Sequence, residues 1–293
     1  MLLSTSQLIK KYGLDAKKSL GQNFILDKNV TDKIARAAGN LTDCEVLEIG
    51  PGPGGLTRSI LDAGAKKLTV IEKDERCLEA LAELQEFYGD RLCIINADAL
   101  EIDEEEIFFG EENERNSAEN LTNSRENFAA KKIKIIANLP YNIGTPLLIK
   151  WLKIAPRISS MTLMLQKEVV ERIVAKPSGK HFGRLAVMVN HLCESKMLFT
   201  VSPSVFVPPP KVTSAIVQVS PFVTPPSNVN FKKLETLVAA AFSQRRKMIK
   251  SALKNFPFTN CDTISALKKV GIAEDLRAEN ITIEQFCALA KIS

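Results

Sequence analysis

Glu48-Ile49-Gly50-Pro51-Gly52-Pro53-Gly54-Gly55 is the stretch on which the reading of this chain turns. It closes the apolar run 46–49 (Val-Leu-Glu-Ile) and opens a helical pattern over 56–63. Gly50, Gly52 and Gly55 satisfy the G-x-G-x-x-G spacing, which joins a strand to a helix where a ligand approaches the backbone. Alone that spacing is a weak signal. The two prolines sharpen it. A pyrophosphate wants backbone N–H donors, and Pro51 and Pro53 have none. The turn therefore suits an uncharged or cationic ligand better than a phosphate.

Outward from this loop, strand-like runs recur at 68–72, 92–95, 133–137 and 161–165, separated by helical patterns at 29–38, 77–87 and 145–153. Such alternation predicts an α/β fold, a Rossmann-like, doubly wound, mostly parallel sheet. Runs at 196–201 and 211–219 fit a terminal antiparallel pair. Residues 103–132 are acidic and polar with no sustained period, and read as a flexible surface insertion. Pro221-Phe222-Val223-Thr224-Pro225-Pro226 begins a linker. Beyond it, Leu234, Leu237, Val238, Ala241, Met248, Ile249 and Ala252 keep helical spacing around the basic cluster Gln244-Arg245-Arg246-Lys247. A second helix is expected near 262–269, ending at Gly271. A third should start at Thr282, with Gln285 completing a capping box. The expected organisation is a large domain, 1–222, followed by a small C-terminal all-helical domain, 229–293.

Composition narrows the class. The chain has 293 residues, 45% hydrophobic and 25% charged, as in ordinary globular proteins. No apolar run approaches the ~20 residues of a membrane span. The N-terminus resembles neither a signal peptide nor an import segment, so a cytoplasmic protein is expected. The 6 cysteines are scattered, with no C-x-x-C pair, and 2 histidines offer no ligand set. Free thiols and no metal are the expectation. Net charge is +5, and all of that excess lies in 228–293, with 11 Lys and Arg against 6 Asp and Glu. This suits a polyanion-binding appendage, although solvated helical faces are often basic too.

Two carboxylates follow successive strands. Glu72 ends the second, placed to accept hydrogen bonds from both hydroxyls of a ribose. Asp98 follows the third and suits an adenine amine. Taken singly, Glu72 reads as a surface carboxylate and Asp98 as a helix cap. With the loop they point to an S-adenosylmethionine pocket.

Asn138-Leu139-Pro140-Tyr141 follows the fourth strand directly. The lone pair of an adenine N6 is delocalised into the ring, so the amine is a poor nucleophile. Two acceptors against its N–H bonds draw the nitrogen toward a tetrahedral, more nucleophilic state. The Asn138 side-chain oxygen is one candidate, and the Pro140 carbonyl is the expected second. Tyr141 can stack on an extruded base. In an arbitrary sequence this tetrapeptide is an ordinary turn; at a strand end beside a glycine loop the catalytic reading is favoured. Phe206, before Val207-Pro208-Pro209-Pro210, is either the second face of a base clamp or a core anchor. Lys176, Lys180, Arg184 and Lys211 are candidates for a phosphate track, with Arg245, Arg246, Lys247 and Lys250 in the C-terminal domain.

These residues resemble the ribosomal RNA adenine N6,N6-dimethyltransferase family. The likeness runs through Lys18-Ser19-Leu20-Gly21-Gln22-Asn23-Phe24, the Gly50 loop, Asn138-Leu139-Pro140-Tyr141-Asn142-Ile143, Phe182-Gly183-Arg184-Leu185, Phe206-Val207-Pro208-Pro209-Pro210-Lys211-Val212 and Phe242-Ser243-Gln244-Arg245-Arg246-Lys247. It implies a class I methyltransferase domain in which Asn23, Ile25, Gly50, Glu72, Asp98 and Asn138 contact the methyl donor. Gly52, Lys73 and Ala99 complete the expected donor site. It also implies that Tyr141 and Phe206 sandwich the target base. The implied substrate is two adjacent adenosines near the 3′ end of 16S rRNA in an immature small subunit, each dimethylated, by a monomeric enzyme. The 103–132 stretch is longer than usual for the family. Related readings are a large-subunit methyltransferase conferring macrolide resistance, a mitochondrial transcription factor, and a non-catalytic ribosome assembly factor. The Leu at 139 and the basic 244–247 segment fit the first of these poorly.

Overall fold

The computed structural model describes residues 2–16, 21–110 and 133–293. Lys18, Ser19 and Leu20 of the first motif, and 111–132 of the acidic stretch, lie outside the described residues. The elements in chain order are α1 (Thr5–Tyr12), β1 (Phe24–Ile25), α2 (Lys28–Ala37), β2 (Glu45–Ile49), α3 (Gly55–Asp62), β3 (Lys67–Glu72), α4 (Leu78–Tyr88) and β4 (Leu92–Asn96). They continue with β5 (Ile133–Asn138), α5 (Gly144–Lys153), β6 (Ile158–Gln166), α6 (Lys167–Ile173), α7 (Arg184–Asn190), β7 (Cys193–Val201), β8 (Phe206–Val207) and β9 (Ser214–Pro221). Four further helices follow, α8 (Phe231–Ser243), α9 (Ile249–Ala252), α10 (Thr263–Lys269) and α11 (Ile283–Lys291).

The strands form one sheet in the order β4-β3-β2-β5-β6-β9-β7. The pairs β2/β3, β3/β4, β2/β5 and β5/β6 are parallel. Val46 to Ile49 of β2 are all buried, as expected of a central strand covered on both faces. The chain leaves β2 toward β3 on one side and returns as β5 on the other. This reversal opens a crevice beyond the carboxyl ends of the strands. Strand-like bonding persists past the formal ends: Gly50 N donates to Ile71 O (2.9 Å), Ala97 N to Glu72 O (3.2 Å) and Leu139 N to Met164 O (3.3 Å). The loops after β2, β3, β4 and β5 are thus carried side by side. A separate two-stranded pair, β1 with β8, sets Ile25 opposite Phe206.

Two compact units emerge, Met1–Lys167 with Leu198–Gln218, and Glu168–Met197 with Val219–Ser293. This differs from a break between 222 and 229, and packing gives the reason. Helix α7 buries Leu185 through Val189 and packs on α8 and α11. Phe182 meets Phe242, which meets Phe286, with ring centroids 6.2 and 5.8 Å apart. Residues 168–197 therefore share a core with the C-terminal helices.

Two local expectations are corrected. Residues 104–110 are helical, with Phe108 and Phe109 buried, so this end of 103–132 is not a surface insertion. Buried Glu104 accepts from Trp151 Nε1 (2.8 Å) and pairs with Lys150 (2.9 Å). The basic cluster at 244–247 is not helical. Helix α8 stops at Ser243 and the chain turns before α9. Arg245 holds that turn, donating to Glu279 Oε2 (2.9 Å) and to the carbonyls of Lys180 (3.1 Å) and Phe182 (3.4 Å). The Thr282–Gln285 capping box forms as its spacing predicts.

Candidate active site

The glycine loop is built on positive-φ backbone at Gly50 (65°), Gly52 (55°) and Gly54 (81°), which only glycine adopts without strain. Space is also short: a Cβ on Gly54 would lie 2.2 Å from Leu84 Cδ1. The amides of Gly50, Gly52 and Gly54 are already committed. Gly50 N donates to Ile71 O, Gly54 N to Pro51 O (3.0 Å) and Gly52 N to Glu72 Oε2 (2.9 Å). With prolines at 51 and 53, the segment 50–54 keeps no free amide for a phosphate. What the loop offers instead is a close approach beside the buried carboxyls of Glu48 and Glu72.

Glu72 is 5% exposed and accepts from Gly52 N and Asp74 N (2.8 Å). A carboxylate has about four acceptor positions, so capacity remains for a ribose hydroxyl. Burial pushes its carboxyl upward, against these backbone bonds. Sequence reasoning missed Glu48. It is 1% exposed on β2, lines the same cleft, and its Oε2 accepts from Thr57 Oγ1 (2.7 Å). Burial pushes its carboxyl up to about 8. The available signal was an acidic residue inside an otherwise apolar strand, where an unpaired carboxylate is too costly to be structural filler.

Asp98 acts as a cap in the structure. Its Oδ1 caps the turn by accepting from Leu100 N (2.9 Å), and its Oδ2 meets Lys73 Nζ (2.6 Å). The Lys73 ammonium holds this carboxyl below its ordinary value. Lys73, Asp98 and Ala99 all line the cleft. So do Asn23 and Ile25, delivered by the N-terminal segment, whose Phe24 ring lies against Gly52.

The tetrapeptide closes the cleft from β5. Asn138 Nδ2 donates to Asn23 O (3.3 Å), which fixes the amide's orientation. Its Oδ1 accepts no hydrogen bond among the described residues and is left for a donor. The Pro140 carbonyl, expected as the second acceptor, is already used: it accepts from Ile143 N and Gly144 N, both at 3.1 Å, as α5 begins. A carbonyl has two lone pairs, and both are taken. The Leu139 carbonyl accepts nothing among the described residues and lies one peptide from Asn138. Of the two carbonyls, the one at Leu139 is left open beside Asn138. Tyr141 is half-buried, and Phe206, held opposite Ile25 by β1/β8 pairing, is 3% exposed; both line the cleft.

The basic residues divide into two groups. Arg184 pairs with Glu235 (2.9 Å), Lys250 with Glu274 (3.1 Å), and Arg245 with Glu279. Lys176, Lys180, Lys211, Arg246 and Lys247 are exposed and make no ion pair among the described residues. Among the described residues no cluster of His, Cys, Asp and Glu is arranged for a metal, and no helix is long and apolar enough to cross a membrane.

Comparison with known proteins bears on this cleft. The family model for ribosomal RNA adenine dimethylase matches residues 13–293. The "Ribosomal RNA small subunit methyltransferase A" of Paracoccus denitrificans is 48% identical over 288 residues, covering 97% of this chain and 94% of the relative. Its namesake in Ruegeria pomeroyi is 46% identical, covering 97% and 95%. Among solved structures, a dimethyladenosine transferase from Plasmodium falciparum superposes with a TM-score of 0.71 at 25% identity, covering 91% of this chain and 95% of that one. The 23S rRNA methyltransferase ErmE gives 0.65 at 25% identity, covering 92% and 98%. On the family model and these near-full-length relatives, the chain belongs to the ribosomal RNA adenine dimethylase family.

Proposed function

We propose that this chain transfers methyl groups from S-adenosylmethionine to N6 of two adjacent adenosines near the 3′ end of 16S rRNA, giving N6,N6-dimethyladenosine. One observation carries the reading. Two free acceptors, Asn138 Oδ1 and the Leu139 carbonyl, stand at the end of β5 in the same cleft as buried Glu72 and Glu48. The near-full-length relatives named as small-subunit enzymes favour that substrate over large-subunit RNA. The immature small subunit as the form recognised, a monomeric state and a cytoplasmic location belong to the same proposal.

The donor set fits S-adenosylmethionine. The acceptors of Glu72 suit a ribose diol, and a glycine loop whose 50–54 amides are all used or absent suits a nucleoside without a pyrophosphate. Bound there, it supplies an electrophilic methyl on a sulfonium. The protein's part is positioning and electrostatics. Glu72 would hold the ribose hydroxyls of the donor, and Asp98 would take an adenine N–H. The Asn23 carbonyl orients the Asn138 amide. Asn138 Oδ1 and Leu139 O accept from the target amine and localise its lone pair toward the methyl. Tyr141 and Phe206 hold the extruded base between their faces. Exposed Lys211, Arg246 and Lys247 supply phosphate contacts, while Arg245 serves the fold.

The test is incubation of small subunits lacking these methyl groups with labelled donor, followed by mapping of the modified bases. Label in two adjacent adenines near the 3′ end is expected. Label elsewhere in the small-subunit RNA, or subunit binding without transfer, refutes the reading.

A further inference from the structure

Ser214 lies outside the cleft yet reaches it through a single bond. It is fully buried at the start of β9, and its Oγ shares a 2.8 Å hydrogen bond with Tyr141 Oη. The intervening chain is stiff. From Phe206 it passes through Pro208, Pro209 and Pro210, each with a fixed φ. Both of its ends are pinned, one by Ile25 opposite Phe206, the other by Lys167 N donating to Thr213 O (2.9 Å). Ser214 thus joins the aromatic ring that follows β5 to the strand reached from the other ring. Burial raises the Tyr141 phenol above its ordinary value, so it remains a neutral partner for the serine hydroxyl.

We propose that Ser214 is a positioning residue that fixes the Tyr141 ring against the target base, and that the second methyl transfer depends on it more than the first. The inference rests on the function proposed above. In each transfer the N6 lone pair forms the N–C bond as the S–CH3 bond breaks, the electron pair passes to sulfur, and one N–H proton leaves to water. An adenosine amine offers two N–H bonds to Asn138 Oδ1 and Leu139 O. The monomethylated amine offers one. Half the polar grip is gone, and stacking carries more of the alignment that attack over about 3–3.5 Å requires. A ring freed to shift therefore harms the second step more.

The experiment is single-turnover methylation of small-subunit RNA lacking these methyls, with mono- and dimethyladenosine quantified by mass spectrometry and donor Kd by calorimetry. Wild type, Ser214→Ala, Tyr141→Phe and the double variant are compared. With Ser214→Ala the donor Kd and the first-transfer rate stay within about threefold. The second transfer slows by about tenfold, the factor for a bond of about 1.4 kcal/mol, and monomethyladenosine accumulates. Tyr141→Phe removes the same bond from its other end and, whatever it does to the first transfer, lowers the second relative to the first by a similar factor; the double variant shifts that ratio no further. A wild-type ratio of the two products in both single variants overturns the role, as do single effects that multiply in the double variant. If Ser214→Ala loses donor binding through misfolding, Tyr141→Phe decides by the same product ratio. Should wild type transfer no methyl, the proposed function and this role fall together; should it dimethylate while both variants match it, only this role falls.

Discussion

Glu48→Gln removes a proton-binding site while keeping the side chain's shape. The Glu48 carboxyl is buried on β2 and pushed from its ordinary 4.5 up to about 8, burial outweighing the Thr57 hydroxyl that favours its charged form. In the unfolded chain it returns to the ordinary value. The folded-state value is the higher one, so folding takes up a proton between the two. The stability this contributes is full below about pH 4.5 and is lost as pH rises through about 8. At about 1.4 kcal/mol per tenfold change in proton affinity, that interval sets an upper bound of about 5 kcal/mol. Urea denaturation at about pH 5, 7 and 9 should show wild type losing stability relative to E48Q as pH rises, most steeply up to about pH 8. Glu72, whose carboxyl is also raised by burial, is present in both proteins, and its charge adds to the upward push on Glu48. A stability difference that stays constant across this range refutes the buried, proton-holding carboxyl.

Three further outcomes are expected. Gly54→Ala meets Leu84 Cδ1 and a positive φ, and should cost about 1–3 kcal/mol of stability by denaturant titration; a variant as stable as wild type contradicts that loop geometry. Glu72→Ala should weaken donor affinity by about tenfold or more in calorimetry, because two charge-assisted ribose bonds are lost; an unchanged Kd removes Glu72 from the donor site. Arg245→Ala should lower melting temperature through its bonds to Glu279 and two carbonyls. Neutralising Arg246 and Lys247 should leave stability alone and reduce the salt dependence of subunit binding. The reverse pattern exchanges their roles.

The sheet and the cleft were legible because period and punctuation agreed locally. The apolar run before Gly50, the carboxylate at 72 and the tetrapeptide at 138 each sit at a strand end, and parallel strands gather those ends at one edge. What escaped was set by distant partners. Arg245 reads as one of a basic cluster, and its bond to Glu279 depends on a residue far along the chain. Met248 keeps the helical spacing of Leu234 and Leu237, yet is 46% exposed because the chain turns after Ser243. Phe108 and Phe109 are hidden in a polar composition that suggests a loop. The choice between the Pro140 and Leu139 carbonyls depends on where the amides of Ile143 and Gly144 point, which no local pattern reveals. Ser214 becomes visible only when β9 is placed beside β6.

The central claim is that Asn138 activates the target amine rather than merely shaping the cleft. Its most direct test is single-turnover methyl transfer by Asn138→Ala, measured beside donor binding on the same preparation. Transfer should fall by about 100-fold or more while the donor still binds, as befits a preorganised contact made at the reacting nitrogen. Transfer at the wild-type rate would contradict it.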